Sequence, residues 1–162
     1  MGFHPILMFM SVTYDEIDAR ILRNLQRDAG LSMDELAGAV GLSRNAAWRR
    51  MKRLEDAGVI KARVALVDPE AVGCGLSVFI AVRTDRHDAA WATSFDKAIQ
   101  SFPEITGAYR TSGELDYLIH ARVDSVADYD RLYKRLIKKI ELKDVSASFV
   151  MEELKETTAL PV

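Results

Sequence analysis

Hydrophobic residues in the first part of the chain recur at the spacing of a helix. The first apolar stripe consists of Ile17, Ile21, Leu22 and Leu25. This stripe predicts a helix that begins at Thr13 or Asp15 and ends at Asp28. Ser32, followed three positions later by Glu35, forms a capping box and marks the start of a second helix.

Residues 33–58 have the pattern of two helices joined by a tight turn. Ala37 occupies the position where two helices touch, Gly41 lets the backbone turn, and Ser43 caps the following helix. That helix ends at Gly58, and Ala47, Met51 and Leu54 form its apolar face. Its opposite face is basic and also carries the side-chain amide of Asn45. The pattern predicts a helix-turn-helix whose second helix enters the major groove of double-stranded DNA.

Beyond Gly73 the pattern changes to alternating strands and helices. The strand-like segments span residues 77–84, 105–111, 115–123 and 145–151. One helix is predicted over 88–101, and Ser125 caps another before the last strand. The order β-α-β-β-α-β predicts a ferredoxin-like sheet with both helices on one face. We expect the other face, with Val78, Ile80 and Tyr109, to bind a second copy of the chain.

Between these regions, Lys61–Val67 is β-branched and strand-like, and Asp68-Pro69 then interrupts the chain. The predicted fold class is therefore α+β. The predicted division is an unassigned arm (1–12), a helix-turn-helix domain (13–60), a hinge strand and linker (61–74), and an oligomerisation domain (75–162), to which the family resemblance given below adds effector binding.

Charge changes the picture only when it is divided by region. The 162 residues carry a net charge of −2, but residues 43–63 sum to +5 and the remainder to −7. Such an asymmetry is expected when one module contacts phosphate and the other does not. The single cysteine, Cys74, excludes an internal disulfide and fits a reducing cytoplasm. No apolar run approaches the ~20 residues of a membrane span.

The predicted DNA-contacting residues lie on the second helix of the motif. They are Ser43, Arg44, Asn45, Trp48, Arg49, Lys52 and Arg53. In the first turn, Arg44 suits guanine and Asn45 suits adenine. Arg49 and Lys52 lie further along, where phosphate contacts are expected.

Two side chains of this helix remain open to more than one interpretation. Trp48 either contacts thymine methyl groups or sugars, or packs inside the domain, which is the commoner role of an aromatic side chain in a short helix. Arg50 either faces DNA or forms an internal ion pair, with Glu35 or Glu55 as candidate partners.

The residues also resemble a known family. The segments DEIDARILRNLQRDAGLSMDELAGAVGLSRNAAWRRMKRLEDAGVIK, FPEITGAYRTSGELDYLIHARV and VMEELKETTALPV are similar, in this order, to the leucine-responsive and asparagine-operon (Lrp/AsnC) regulators. The resemblance implies a winged helix-turn-helix, a hinge strand and a βαββαβ regulatory domain. It also implies homodimers formed through the sheets, and larger octamers, tetramers or other rings.

The resemblance further implies that a small amino acid binds near the glycine turn of the central hairpin. The implied effector-binding residues are Ile105, Gly107, Gly113, Glu114, Asp116, Tyr117, Ser146 and Ser148. A zwitterion needs a carboxylate for its ammonium and N–H or hydroxyl donors for its carboxylate, which Asp116 and the Gly113 turn provide. From the residues alone, the favoured alternative is that Gly113 only serves a turn of positive φ that Asp116 caps.

Two other functions remain as alternatives. An architectural DNA-wrapping protein without an effector has nearly the same sequence features. The sirohaem decarboxylases share the two-part architecture, but the segment 107–110 reads Gly-Ala-Tyr-Arg and lacks their histidine. His87 and His120 show no metal-ligand spacing, so we predict no catalytic residue, no metal and no cofactor.

Overall fold

The computed structural model describes residues 13–162, so the predicted arm 1–12 lies outside the described residues. The chain forms two compact units. We call the first the helical unit, which comprises the described residues up to Leu66 together with Lys155–Val162. The second, the sheet unit, comprises Val67–Leu154. The predicted regulatory domain 75–162 is therefore divided, because its last eight residues pack with the helices.

The helical unit contains α1 (Glu16–Arg27), α2 (Met33–Val40) and α3 (Arg44–Asp56). All three helices begin at a side-chain cap. Asp15 and Asp18 form a capping box at α1, Ser32 and Glu35 form the predicted box at α2, and Ser43 caps α3. The core consists of Ile21, Leu22, Leu36, Val40, Met51 and Leu54.

The sheet unit contains six main elements. They are β1 (Leu76–Arg83), α4 (Ala89–Gln100), β2 (Ile105–Arg110), β3 (Tyr117–Val123), α5 (Val126–Lys139) and β4 (Asp144–Phe149). A 3₁₀ turn, Glu70–Val72, precedes them. The sheet order is β2-β3-β1-β4, and every neighbouring pair is antiparallel. The predicted ferredoxin-like topology is confirmed.

The prediction of which β1 residues face outward was wrong. Val78 and Ile80 are completely buried in the core, together with Trp91 and Phe95 of α4. The alternate β1 residue, Phe79, is 39% exposed. Because β1 carries apolar residues on both faces, its hydrophobicity does not reveal which set is covered. Tyr109 is exposed, as predicted.

The segment that follows α3 also differs from expectation. Residues 61–68 form no paired strand with any part of the chain that the structure describes. The side chains of Val64, Leu66 and Val67 are exposed there. Sequence pattern gave the correct residue types for a strand, but a strand forms only where a partner backbone is available.

Candidate DNA-binding surface and effector site

The turn between α2 and α3 sets the direction of the predicted recognition helix. Gly41 ends α2 with φ 70° and ψ 39°, a left-handed conformation that suits glycine. Its amide donates to the carbonyls of Ala37 and Gly38. Two residues later, Ser43 Oγ accepts a hydrogen bond from the Ala46 amide at 3.3 Å. The tight turn and the cap together fix where α3 begins.

One group of α3 cations is held inside the helical unit. Asp18 of α1 is completely buried, and its carboxylate accepts hydrogen bonds from Arg50 Nη1 at 2.9 Å and from Arg53 Nη2. Arg50 Nη1 also donates to Asp15 Oδ2 at 2.7 Å. We call these four residues the α1–α3 clamp. Arg50 thus forms an internal ion pair, but with α1 rather than with Glu35 or Glu55.

The clamp also affects proton binding. The Asp18 amide, which donates to Asp15, and the Arg50 guanidinium lower the pKa of Asp15 below its usual value. Hydrogen bonds to Asp15 and Asp18 raise the pKa of Arg50. Asp15 and Arg50 therefore stay charged at neutral pH, and their ion pair helps to fasten the first helix to the third.

A second group of α3 side chains points away from the helical core. Arg44, Asn45 and Arg49 are exposed, and Trp48 is 51% exposed. Trp48 therefore does not pack inside the domain, contrary to the commoner role of such an aromatic residue. Positions 44 and 45 lie one helical turn before positions 48 and 49, so the four side chains fall on one face of the helix.

Among the residues that the structure describes, the exposed cations Arg44 and Lys52 have weak partners. Arg44 Nη1 lies 3.1 Å from Asp34 Oδ2, and Lys52 Nζ lies 2.9 Å from Asp56 Oδ1. The bond to Asp56 raises the pKa of Lys52. Exposed pairs contribute about 0–1 kcal/mol, so a phosphate group can replace the carboxylate at little cost.

The hairpin between β2 and β3 is fastened to the end of β1. Gly113 has φ 124°, which few other residues adopt. The Asp116 amide donates to the Val82 carbonyl at 3.1 Å, and Asp116 Oδ2 accepts from the Thr84 amide at 2.9 Å. One carboxylate oxygen of Asp116 is therefore used structurally, by Thr84 rather than by the turn itself.

Two further charged side chains lie at this hairpin. His87 Nδ1 is 4.0 Å from Asp116 Oδ1, and Arg83 Nη2 is 3.9 Å from Glu114 Oε2. Sequence reasoning missed both as site residues, because Arg83 ends β1 and His87 follows it, and only the sheet register brings the end of β1 beside the hairpin. The hairpin end thus combines two carboxylates, a guanidinium and an imidazole.

The remaining predicted effector residues do not converge on this point. Ile105, Gly107 and Tyr117 line a cleft of about 520 Å³ beside α4. The ring of Tyr117 packs on Phe95 with centroids 4.3 Å apart, which gives Tyr117 a core role. The last two predicted residues, Ser146 and Ser148, lie on β4 at the opposite edge of the sheet.

Metal binding and membrane insertion find no support in the described range. Within residues 13–162, no group of three or more His, Cys, Asp or Glu side chains is arranged to hold a metal ion. The helices of the described range all lack the length or the apolar character that a membrane crossing requires. His120 lies on β3, with Nε2 2.8 Å from Ser77 Oγ and its ring stacked on Phe79.

A capped helix-turn-helix with an exposed basic face, joined to a separate ferredoxin-like unit, defines a DNA-binding protein with a regulatory domain. Residues 14–61 match the family model of a winged helix-turn-helix DNA-binding domain. Residues 77–160 match that of the Lrp/AsnC ligand-binding domain. The chain belongs to the Lrp/AsnC family of transcriptional regulators, which confirms the family, the fold class and the regulatory function predicted from sequence.

Individual relatives agree with this assignment. The glutamate uptake regulatory protein of Zymomonas mobilis is 47% identical over 148 residues, covering 91% of this chain and 90% of the relative. The DNA-binding transcriptional activator DecR of Escherichia coli K12 is 43% identical over 149 residues, covering 91% and 98%.

Solved structures are also similar to the chain. An AsnC family transcriptional regulator from Agrobacterium tumefaciens has a TM-score of 0.89 and 46% identity, covering 91% of this chain and 97% of that protein. A transcriptional regulator from Neisseria meningitidis in complex with L-Met has a TM-score of 0.87 and 35% identity, covering 92% and 97%.

Proposed function

We propose that this regulator binds specific DNA sites in the cytoplasm as a homo-oligomer, and that a small amino acid controls its binding. The observation that carries the DNA-binding part is the division of the α3 side chains into two groups. The clamp fixes the helix from its inner side, which leaves the exposed group free to contact DNA.

Within the exposed group, base readout is assigned to the first turn of α3. Arg44 can donate two hydrogen bonds to guanine, and Asn45 can exchange two with adenine. Trp48 lies one turn further and offers an apolar surface for a thymine methyl group or a sugar. Arg49 and Lys52 contribute phosphate contacts, which set affinity and salt dependence. Arg53, bound to Asp18, positions the helix and contributes less to phosphate binding.

The DNA-binding proposal is tested by selecting binding sites from a random duplex library and measuring their affinities. Arg44→Ala and Asn45→Ala should each relax preference at one base pair, by about 1–3 kcal/mol. Arg27→Ala is the matched control, because it removes one exposed charge from the same unit outside α3. Unchanged base preference in both α3 variants would refute the assignment. Tight binding to every duplex alike would favour the architectural alternative.

The amino-acid part of the proposal is supported by the chemistry at the hairpin end. Asp116 Oδ1 can accept from an ammonium group, while Oδ2 keeps its bond to the Thr84 amide. The Arg83 guanidinium provides a donor for a carboxylate. The Neisseria meningitidis relative was solved with L-Met, which supports an amino acid as the ligand class. Ile105 and Gly107 lie too far along β2 to be central, and Ser146 and Ser148 lie on β4 at the other edge of the sheet, so this proposal leaves them outside the site.

A thermal-shift screen of the twenty amino acids tests this part, because a ligand that binds the native state raises its stability. Asp116→Asn should abolish the shift, since the amide oxygen still accepts from Thr84 but the charge is lost. Asp130→Asn is the matched control for charge, because it removes an exposed carboxylate of the same unit on α5, away from the hairpin. No shift with any amino acid, or an unchanged shift in Asp116→Asn, would contradict the assignment.

The homo-oligomer is supported by the outer face of the sheet. Phe79 on β1, Tyr109 on β2 and Leu118 on β3 give this face apolar surface. Such a surface is usually covered by a partner, and a second copy offers the same chemistry by two-fold symmetry.

A further inference from the structure

The chain connects the two units twice. It leaves the helical unit after Leu66, and it returns at Lys155 after the sheet unit ends at Leu154. The returning segment, Lys155–Val162, follows closely on β4, the last strand of the sheet. It is therefore a second covalent connection in addition to the predicted hinge.

The returning segment is bound to α1 mainly through its backbone. Gln26 Nε2 donates to the Leu160 carbonyl at 3.1 Å, and the Leu160 amide donates to Gln26 Oε1 at 2.6 Å. One turn earlier on α1, Arg23 Nη1 donates to the Val162 carbonyl at 2.8 Å. The side chain of Leu160 is 70% exposed, whereas Val162 packs against the core of the helical unit. Two backbone positions and one apolar side chain thus hold the segment.

The chain is also fastened just before it leaves the sheet unit. The Val150 amide donates to the Ser77 carbonyl at 3.0 Å, and Glu153 Oε1 accepts from Arg122 Nη2 at 2.9 Å. Only six residues lie between Glu153 and Leu160. Fully extended, that length spans at most about 25 Å. The two fastened ends therefore cannot separate far without breaking one attachment.

Helix α1 links this segment to the recognition helix. Arg23 and Gln26 lie in its second half, and Asp18 in its first half accepts from Arg50 and Arg53 of α3. A helix of twelve residues held at both halves transmits a displacement as a body. Movement of the returning segment is thereby coupled to movement of α3.

We propose that Lys155–Val162 is a strap: it restrains the motion of the helical unit and transmits amino-acid binding in the sheet unit to α3. The transmission part rests on the amino-acid control proposed above. The restraint part does not, since it follows from the double connection and the contacts on α1.

Two matched pairs of variants in the full chain test the strap. Leu160→Pro removes the amide that donates to Gln26, whereas Leu160→Ala keeps that amide and changes only an exposed side chain. Gln26→Ala removes the other partner. Its control, Asn24→Ala, removes a side-chain amide whose partner within residues 13–162 is the Arg20 carbonyl on the same helix. Gln26→Ala and Asn24→Ala both lie on α1, so this second pair tests the attachment without changing the sequence of Lys155–Val162.

The restraint is measured by time-resolved fluorescence anisotropy of Trp48. The only other tryptophan, Trp91, is replaced by Phe in all variants. We expect Leu160→Pro and Gln26→Ala to increase the amplitude of the nanosecond component at least twofold, and both controls to match the parent. Equal amplitudes in all five proteins would overturn the restraint.

The transmission is measured with the amino acid that gives the largest shift in the thermal screen. Leu160→Pro should bind this amino acid with unchanged affinity by calorimetry, while its effect on DNA affinity falls at least fivefold. A fully retained effect would overturn the transmission. If no amino acid binds the parent protein, the proposed control by amino acids fails, and the anisotropy result still decides the restraint.

Discussion

The α1–α3 clamp should contribute a large part of the stability of the helical unit. The perturbation is Asp18→Ala, which removes a completely buried carboxylate that accepts from Arg50, from Arg53 and from the Asp15 amide at 3.1 Å. A hydrogen bond to a charged group contributes about 1.5–3 kcal/mol, so the two guanidinium bonds amount to roughly 3–6 kcal/mol.

Part of this loss is recovered, because the side chains of Arg50 and Arg53 are 28% and 56% exposed and can be solvated after the substitution. We therefore expect Asp18→Ala to lower the free energy of unfolding by about 2–4 kcal/mol. That is a large fraction of the roughly 5–15 kcal/mol typical of a domain. Urea unfolding followed by Trp48 fluorescence, with Trp91 replaced by Phe, measures the change in the helical unit.

The matched control is Asp34→Ala, which removes an exposed carboxylate paired with Arg44 on the same unit. It should change stability by less than about 1 kcal/mol. A double-mutant cycle of Asp18→Ala with Arg53→Ala should give a coupling energy between roughly 0.5 and 3 kcal/mol. If Asp18→Ala behaves like Asp34→Ala, or the coupling energy is zero, the clamp does not hold α1 to α3.

Three further outcomes follow from single features of the structure. The pKa of Asp15 is lowered by the Asp18 amide and by Arg50, and the pKa of Glu35 is lowered by its hydrogen bonds with Ser32. The stabilisation from these carboxylates is therefore present above about pH 4 and is lost as the pH falls through the lowered pKa values. Urea midpoints measured from pH 5 to pH 2 should fall less in Asp15→Asn than in the parent. Gly113→Ala places a side chain at φ 124° and should lower the free energy of unfolding by about 1–3 kcal/mol. Gly38→Ala, inside α2 with open space around it, should raise the free energy of unfolding by up to about 1 kcal/mol. Unfolding free energies that rank the two variants the other way would contradict this reasoning. Phe79→Asp on the outer sheet face should reduce the sedimentation coefficient toward that of a monomer with an unchanged circular dichroism spectrum, and an unaltered oligomer would remove this face as the interface.

Local sequence signals predicted most of the secondary structure. The caps at Ser32, Ser43 and Ser125 all lie where hydroxyl residues precede an amphipathic run, and each hydroxyl accepts the expected backbone amide. Such signals depend on residues only three positions apart, so they can be read before the fold is known. The order of elements then limits the sheet to few topologies, which is why the ferredoxin-like arrangement was predictable.

Long-range partners were not predictable in the same way. Arg50 was expected to pair with an acid near it in sequence or on α2, yet its partners on α1 are 32 and 35 residues away. The face of β1 that is covered depends on where α4 and α5 pack, and Phe79 and Ala81 give the strand apolar residues on its other side as well. The strap contacts join residues 134 and 139 positions apart and involve backbone groups, which carry no sequence signal.

The positions of these missed contacts on α1 have a physical reason. The core of the helical unit is a small cluster of apolar residues, and small cores orient their helices weakly. Directional bonds from Asp18 at one end of α1 and from Gln26 at the other supply the orientation that apolar packing leaves free. In a DNA-binding unit that orientation matters, because the proposed base readout requires α3 to present Arg44 and Asn45 to base edges within the tolerance of a hydrogen bond. The polar residues that pattern analysis treats as the solvent side of α1 are therefore the ones that aim the recognition helix.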